Sequence, residues 1–161
     1  MKLAVIGGSD AGISAALRAR EVDTSVDVSM IVADPYPNFS ICGLPFYLSG
    51  EVADWHRLAH RAREEIEAAG VRLYLEQTAI EIDVAGKRVV ARSPAGHVSH
   101  AYDQLVIATG ATPIKPPIPG GSLPNCFVLH TMDECFALHR RLADGAKSAV
   151  IVGGGYIAVH P

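Results

Sequence analysis

Apolar side chains fall along this chain in two rhythms. Residues 3–6, 105–108 and 149–152 are short, unbroken apolar runs, and residues 26–32 are mostly apolar, interrupted by Asp27 and Ser29. Such runs predict strands covered on both faces, as in a parallel sheet. Residues 71–75, 79–84, 87–91 and 97–101 are short and alternating, with turn signals at Ala85-Gly86 and Pro94-Ala95-Gly96. They predict one further strand and a small antiparallel meander inserted before the run at 105–108. Helical spacing marks residues 13–20, rich in alanine, and residues 131–142, with Asp133 and Glu134 in the first turn, where the helix dipole favours them. It also marks residues 56–69, where Leu58, Ala62, Ile66 and Ala69 recur and Gly70 supplies the cap.

The order of these elements matters more than any one of them. The first strand runs into Gly7-Gly8-Ser9-Asp10-Ala11-Gly12 and then into a helix, and residues 26–32 complete a βαβ unit. Strand, glycine turn and helix form the context in which backbone N–H groups hold a dinucleotide pyrophosphate. Gly7 allows the tight turn and Gly12 lets helix and strand pack closely. Ser9 stands where the second glycine of the fingerprint is expected, and Gly8 beside it offers the close backbone approach. A ribose-binding acid is expected roughly twenty residues on. Val32 and Ala33 end the strand there, and Asp34 is the first carboxylate. Asp34-Pro35-Tyr36-Pro37 is also a turn sequence, so a turn cap is the competing role for Asp34. The strand end at Ala108-Thr109-Gly110 is small enough to let a flat ligand approach.

A second candidate for chemistry lies at Asn38-Phe39-Ser40-Ile41-Cys42-Gly43-Leu44-Pro45. It sets Cys42 at the start of a short apolar helix with Pro45 in its first turn, a position where unpaired N–H groups bias a thiol toward thiolate. Cysteine is also a common small apolar core residue, which is the competing role. Near the end, Gly153-Gly154-Gly155-Tyr156-Ile157-Ala158 opens a second fingerprint after the run at 149–152, three residues before the sequence ends.

Composition narrows the field. The chain has 161 residues, 49% of them apolar and 19% charged, with a net charge of −3. That supports a real core and carries no basic footprint for nucleic acid. No apolar run approaches the about 20 residues that span a bilayer, and the N-terminus turns into glycines within a few residues. A cytoplasmic protein with neither nucleic-acid nor membrane partners is expected. Three cysteines are too few and too scattered for a disulfide framework. His56 and His60 stand at helical spacing, but Arg57, Arg61 and Arg63 around them would repel a cation. Cys126, His130, Cys135 and His139 match no common zinc spacing, so no metal site is expected. Five of the ten prolines fall between Thr112 and Pro124 and predict a stiff linker.

Taken together, these residues resemble the single-cysteine branch of the FAD-dependent pyridine nucleotide–disulfide oxidoreductases. That branch holds coenzyme A disulfide and persulfide reductases and the NADH oxidases and peroxidases. The resemblance rests on the first glycine turn, the segment around Cys42, Tyr102-Asp103-Gln104-Leu105-Val106-Ile107-Ala108-Thr109-Gly110-Ala111, Pro116-Pro117-Ile118-Pro119-Gly120 and the second glycine turn, in that order. It implies an α/β fold with a Rossmann-like parallel sheet of the FAD-binding type and an inserted antiparallel meander, truncated at the start of a second Rossmann domain. An incomplete FAD-binding domain over residues 1–111, a linker over 112–124 and the start of an NAD(P)H-binding domain over 125–161 are expected.

The resemblance further implies that FAD contacts Gly7, Gly8, Ser9, Ala11, Gly12, Asp34, Ala108, Thr109 and Gly110, and that NAD(P)H contacts Gly153 and Gly155. Hydride passes to the flavin and electrons then pass to Cys42, which acts without a second cysteine because Leu44, Pro45, Phe46 and Tyr47 follow it. The substrate is a small-molecule disulfide or persulfide, met at Ser14, Arg18 and Asn38; Glu21 and Ile41 depart from the basic and amide residues expected of a coenzyme A site. Asp10 replaces the histidine of the oxidases and peroxidases, which favours the reductases. A homodimer is possible in this branch. Turnover by this stretch alone is not expected. A non-catalytic FAD-binding remnant and an NADH oxidase or peroxidase relative are the alternatives.

Overall fold

Thirteen short elements follow one another in the computed structural model of the chain, which describes residues 1–154. They are β1 (Lys2–Ile6), α1 (Asp10–Val22), β2 (Asp27–Ile31), a 3-10 turn (Ile41–Gly43), α2 (Leu44–Leu48), a second 3-10 turn (Trp55–Leu58), α3 (Arg63–Ala68), β3 (Val71–Tyr74), β4 (Thr78–Asp83), β5 (Arg88–Ser93), β6 (Gly96–Ala101), β7 (Gln104–Ile107) and α4 (Met132–Ala143). They group into two units. One is Met1–Phe39 with Ala59–Ala111; the other is Ser40–Leu58 with the chain from Thr112 onward.

In the first unit β3, β2, β1 and β7 form a parallel sheet in that order, in register at Ile6–Ile31, Ile31–Tyr74 and Ile6–Ile107. The unbroken apolar run of β1 has a direct cause. Leu3 and Val5 cluster with Val28, Met30 and Val32, with Ile13 and Ala16 of α1 and with Ile66 of α3. Ala4 and Ile6 cluster with Ile31, with Val89 and Ala91 of β5 and with Tyr102. Both faces of β1 are therefore buried, and each buried Val, Leu or Ile contributes about 2 kcal/mol by leaving water. The second layer is the antiparallel sheet β4-β5-β6, with a register shift between Ala79 and Glu81. The expected fold class, parallel sheet plus meander, is what the structure shows.

The second unit is built on α2 and α4. Leu44, Leu58, Met132 and Cys135 are buried in it. Phe136 of α4 meets Tyr47 and Trp55 edge-on, with ring centroids 6.1 and 5.5 Å away, and His139 stacks on Tyr47 at 4.8 Å. Helix α4 begins at a reciprocal cap: Thr131 Oγ1 accepts from Glu134 N, and Glu134 Oε2 accepts from Thr131 N.

Two sequence expectations need correction. Residues 56–69 are not one helix. Ser40 N donates to Leu58 O, Phe39 bridges Ala59, and His60 N donates to Asn38 O, so an extended segment claims the backbone bonds a helix would use. Only Arg63–Ala68 is α-helical; Glu65 Oε2 takes the Ala62 N–H at 2.8 Å, and Gly70 (φ +84) supplies the cap. Residues 149–152 form no strand. Their backbone finds no partner strand among the described residues, and Val150 is 89% exposed.

Arg20 ties three segments of the first unit together. Its guanidinium donates to the carbonyls of Thr24, Val26 (2.8 Å) and Ala69 (3.1 Å). Replacement Arg20→Met is expected to lower stability by about 2 kcal/mol, because charged donors to carbonyls are worth that much and the acceptors are left open. The urea midpoint measures it; an unchanged midpoint would refute the role. His100 offers a second test. Its Nε2 lies 2.7 Å from Gln77 Oε1, its ring packs 4.4 Å from Tyr74, and burial lowers its pKa below the ordinary imidazole value. Folding favours the neutral ring, so this stability is complete above the unfolded value of about 6.5 and is lost as pH falls through the folded value. Thermal midpoints are expected to drop on acidification across that window, and to drop less in His100→Gln.

Candidate functional site

The first βα turn is shaped by close packing. Gly7 has φ +112, and a Cβ there would lie 2.1 Å from the Ala108 carbonyl oxygen, which sits at the end of β7. A Cβ on Gly12 would lie 2.3 Å from Gly7 O, and one on Gly8 would lie 2.7 Å from Val32 Cγ1. Gly8 therefore makes room for Val32, the buried residue just past β2 where a ribose-binding acid was expected. The turn then opens into α1 with Ser9 as N-cap, whose side chain makes no capping bond. The first helical bond runs from Ile13 N to Ser9 O. Among the described residues, the N–H groups of Asp10, Ala11 and Gly12 have no acceptor. They head a helix of thirteen residues, and its positive end faces out with its donors open. That donor set suits a pyrophosphate.

The structure thus brings Gly7, Gly8, Gly12, Ala108 and Thr109 together, with Ser9 and Ala11 exposed at the head of the helix. Gly110 follows, exposed, with φ +68. Asp34 takes the Tyr36 N–H on Oδ1 at 2.8 Å, the turn-cap geometry weighed against the ribose role. Ser14 and Arg18 lie exposed one turn apart on α1, and Arg18 pairs with Glu21 at 3.1 Å. Asn38 is 3% exposed and left-handed (φ 61); its N–H donates to Gly8 O at 2.7 Å and its carbonyl accepts from His60 N at 2.9 Å. Its visible work is to fasten a later segment to the turn.

Cys42 lies in the other unit. It is exposed and sits in the middle of the 3-10 turn Ile41–Gly43, ahead of α2 rather than inside it. Helix α2 spans five residues, so it sums few peptide dipoles, and the expected helix-end position of Cys42 is instead a tight turn. Ser40 holds that turn: its carbonyl and its Oγ both accept from Gly43 N, at 3.0 and 3.1 Å. Leu58 closes against Gly43, where an added Cβ would meet Leu58 Cδ2 at 2.9 Å. Sequence reasoning passed over Ser40, although a serine three residues before a glycine in a capped turn was its available signal.

The other two cysteines differ from each other. Cys126 is exposed, with Sγ 3.3 Å from Gly120 O. Cys135 is buried, with Sγ 3.9 Å from Leu44 O, and burial pushes its thiol up to about 11. Gly153 is exposed with φ +118; Gly155 lies outside the described residues. Among the described residues no three metal-ligating side chains converge and no helix is long and apolar enough to cross a membrane. His60, weighed above only as a metal ligand, places Nδ1 3.3 Å from Asp10 Oδ1. Fifty positions separate the two residues, and nothing in the local sequence pairs them.

Comparison with known proteins gives concordant results. The family model described as pyridine nucleotide-disulphide oxidoreductase matches residues 1–160. An NADH oxidase from Lactococcus lactis is 32% identical over 99% of this chain. An NAD(P)H coenzyme A polysulfide/persulfide reductase from Pyrococcus horikoshii is 31% identical over 99% of it. The chain spans 36% of the length of each. The solved structure of an NAD-dependent persulfide reductase from A. fulgidus superposes with a TM-score of 0.92 at 32% identity, over 98% of this chain and 30% of that one.

The thiol geometry has a direct consequence. A thiol reagent applied to the native protein is expected to modify Cys42 and Cys126 and to spare Cys135 until the chain is unfolded. Cys42→Ser should remove one of the two fast modifications in the intact-protein mass. Modification of Cys135 at the rate of the others would contradict its burial.

Proposed function

We propose, from the premise that this chain belongs to the pyridine nucleotide-disulphide oxidoreductase family, that it carries the flavin-binding and thiol-bearing part of an NAD(P)H-dependent reductase of small disulfides or persulfides. FAD and NAD(P)H are the cofactors that membership implies. The observation that carries the reading is the open donor set at the head of α1, above the adjoining ends of β1 and β7. An anion of the pyrophosphate kind satisfies those donors.

In this reading the open N–H groups of Asp10, Ala11 and Gly12 donate to the FAD pyrophosphate, with Gly7, Gly8 and Ser9 leading the chain past it, and Ala108, Thr109 and Gly110 provide a small, open strand end for the flavin. Asp34 stands for the ribose hydroxyls. FAD, when bound, supplies a relay for two electrons from NAD(P)H. Cys42 does the sulfur chemistry. Its thiolate attacks one sulfur of the substrate, the S–S bond breaks, and the departing sulfur leaves as a thiolate that takes a proton from water. Cys42 is left in a mixed disulfide, or in a persulfide if the sulfane sulfur is attacked. Two electrons return the Cys42 thiolate and release the second product. The balance is one disulfide, one NAD(P)H and one proton giving two thiols and NAD(P)+. Ser40 keeps the turn that presents the sulfur. Ser14 and Arg18 offer a hydroxyl and a cation to a phosphorylated thiol, the feature that points toward coenzyme A chemistry.

The Lactococcus relative supports a second reading, in which electrons reach oxygen or peroxide rather than a disulfide. Asp10 in place of a histidine disfavours it. Thiol release from coenzyme A disulfide, measured against oxygen uptake with NADH and FAD present in a version extended to the length of the relatives, separates the two.

The flavin part is tested by incubating purified chain with FAD and removing free ligand. Visible flavin absorbance that stays with the protein and is released on unfolding is expected. A folded, colourless protein after that treatment would sink the reading.

A further inference from the structure

A closed ring of contacts surrounds the phosphate turn, and one member has no assigned role. Gly8 O accepts from Asn38 N at 2.7 Å, and Asn38 O accepts from His60 N at 2.9 Å. His60 Nδ1 then lies 3.3 Å from Asp10 Oδ1, two residues beyond Gly8. The Phe39–Ala59 bridge holds the two outer segments together. The ring fixes an imidazole beside the first residue of α1 using a segment fifty positions away. Both side chains remain open to solvent, 51% for His60 and 70% for Asp10.

Asp10 poses a problem for the flavin reading, on which this inference rests. A carboxylate in the first turn of a helix answers the dipole by itself. It therefore works against a second anion at the same N–H groups, and a pyrophosphate is such an anion. An ionised carboxylate only accepts hydrogen bonds, so the nitrogen facing Asp10 is the one that carries a proton. His60 thus sets the Nδ1 edge of its ring against the Asp10 carboxylate.

We infer that His60 is a positioning residue of the dinucleotide site: it holds the Asp10 carboxylate aside and offsets its charge, leaving the head of α1 to the FAD pyrophosphate. His60 touches the ligand only through Asp10 in this account, so its effect is electrostatic and conditional on that carboxylate. Removing His60 alone exposes the site to an uncompensated negative charge. Removing both partners together restores it.

The test is FAD affinity of the full chain, followed by flavin fluorescence, for wild type, His60→Gln, Asp10→Asn and the double variant. At low ionic strength His60→Gln is expected to bind FAD about fivefold more weakly, the size of a charge effect at an exposed helix end. The double variant should return to within about twofold of wild type, since neutral partners carry no such effect. Raising salt to about 1 M should shrink the His60→Gln defect, because exposed charges are then screened within a few ångströms. A role in folding alone would survive salt and would not be rescued by Asp10→Asn. Wild-type binding with an undiminished His60→Gln variant overturns this inference and leaves the flavin reading standing. A His60→Gln defect that Asp10→Asn fails to rescue overturns it equally. A wild-type chain that takes up no FAD removes the flavin reading and this inference with it.

Discussion

The close approach of Gly7 to the Ala108 carbonyl is the constraint on which the first unit depends. Two parallel strands end side by side, and the chain leaving β1 must turn over the end of β7 with no room for a side chain. Gly7 at φ +112 makes that turn. It sets the direction of α1, which then packs Ile13 and Ala16 into the core beneath it. The same geometry leaves the first N–H groups of α1 without an acceptor among the described residues. Fold stability and the proposed ligand chemistry share one cause: the turn that allows tight packing also leaves open backbone donors of the kind that suit an anion. Gly8 and Gly12 serve the packing side of that bargain, against Val32 and against Gly7 itself.

The thiol is presented by different means. Cys42 sits in a short turn held by Ser40, in a stretch that leaves the parallel-sheet unit after Phe39 and rejoins it at Ala59. Its environment is exposed, whereas Cys135 is sealed against Leu44, where burial disfavours the charged form. Exposure and a rigid turn are what a sulfur nucleophile needs for an incoming substrate, and burial is what makes a thiol inert. The two cysteines have the same chemistry and opposite surroundings.

Much of the fold was legible because its elements obey local rules. The central strand β1 read as an unbroken apolar run since both its faces are covered, whereas β3, in the same parallel sheet, read as alternation like the meander. Helical spacing placed a helix over residues 131–142, and α4 runs Met132–Ala143 with Thr131 as its cap. The failures were tertiary. Residues 56–69 carry a helical apolar spacing, yet they begin as a 3-10 turn to Leu58 and a short bridged segment at Ala59, because the backbone of Asn38–Ser40 competes for the hydrogen bonds a helix would use. Residues 149–152 look like a strand, but a strand is stable only beside another, and among the described residues none lies there.

The sequence by itself determined most of the order of the elements, the glycine turn after β1, the cysteine segment and the family they share. Those features are local: periodicity, glycine placement and capping act over a few residues. Only the tertiary structure decided that Val32 fills the place beneath Gly8 and that His60 meets Asp10. Each of these joins residues through space or through a backbone geometry that local propensity leaves open, and contact at such separation is set by how the elements pack.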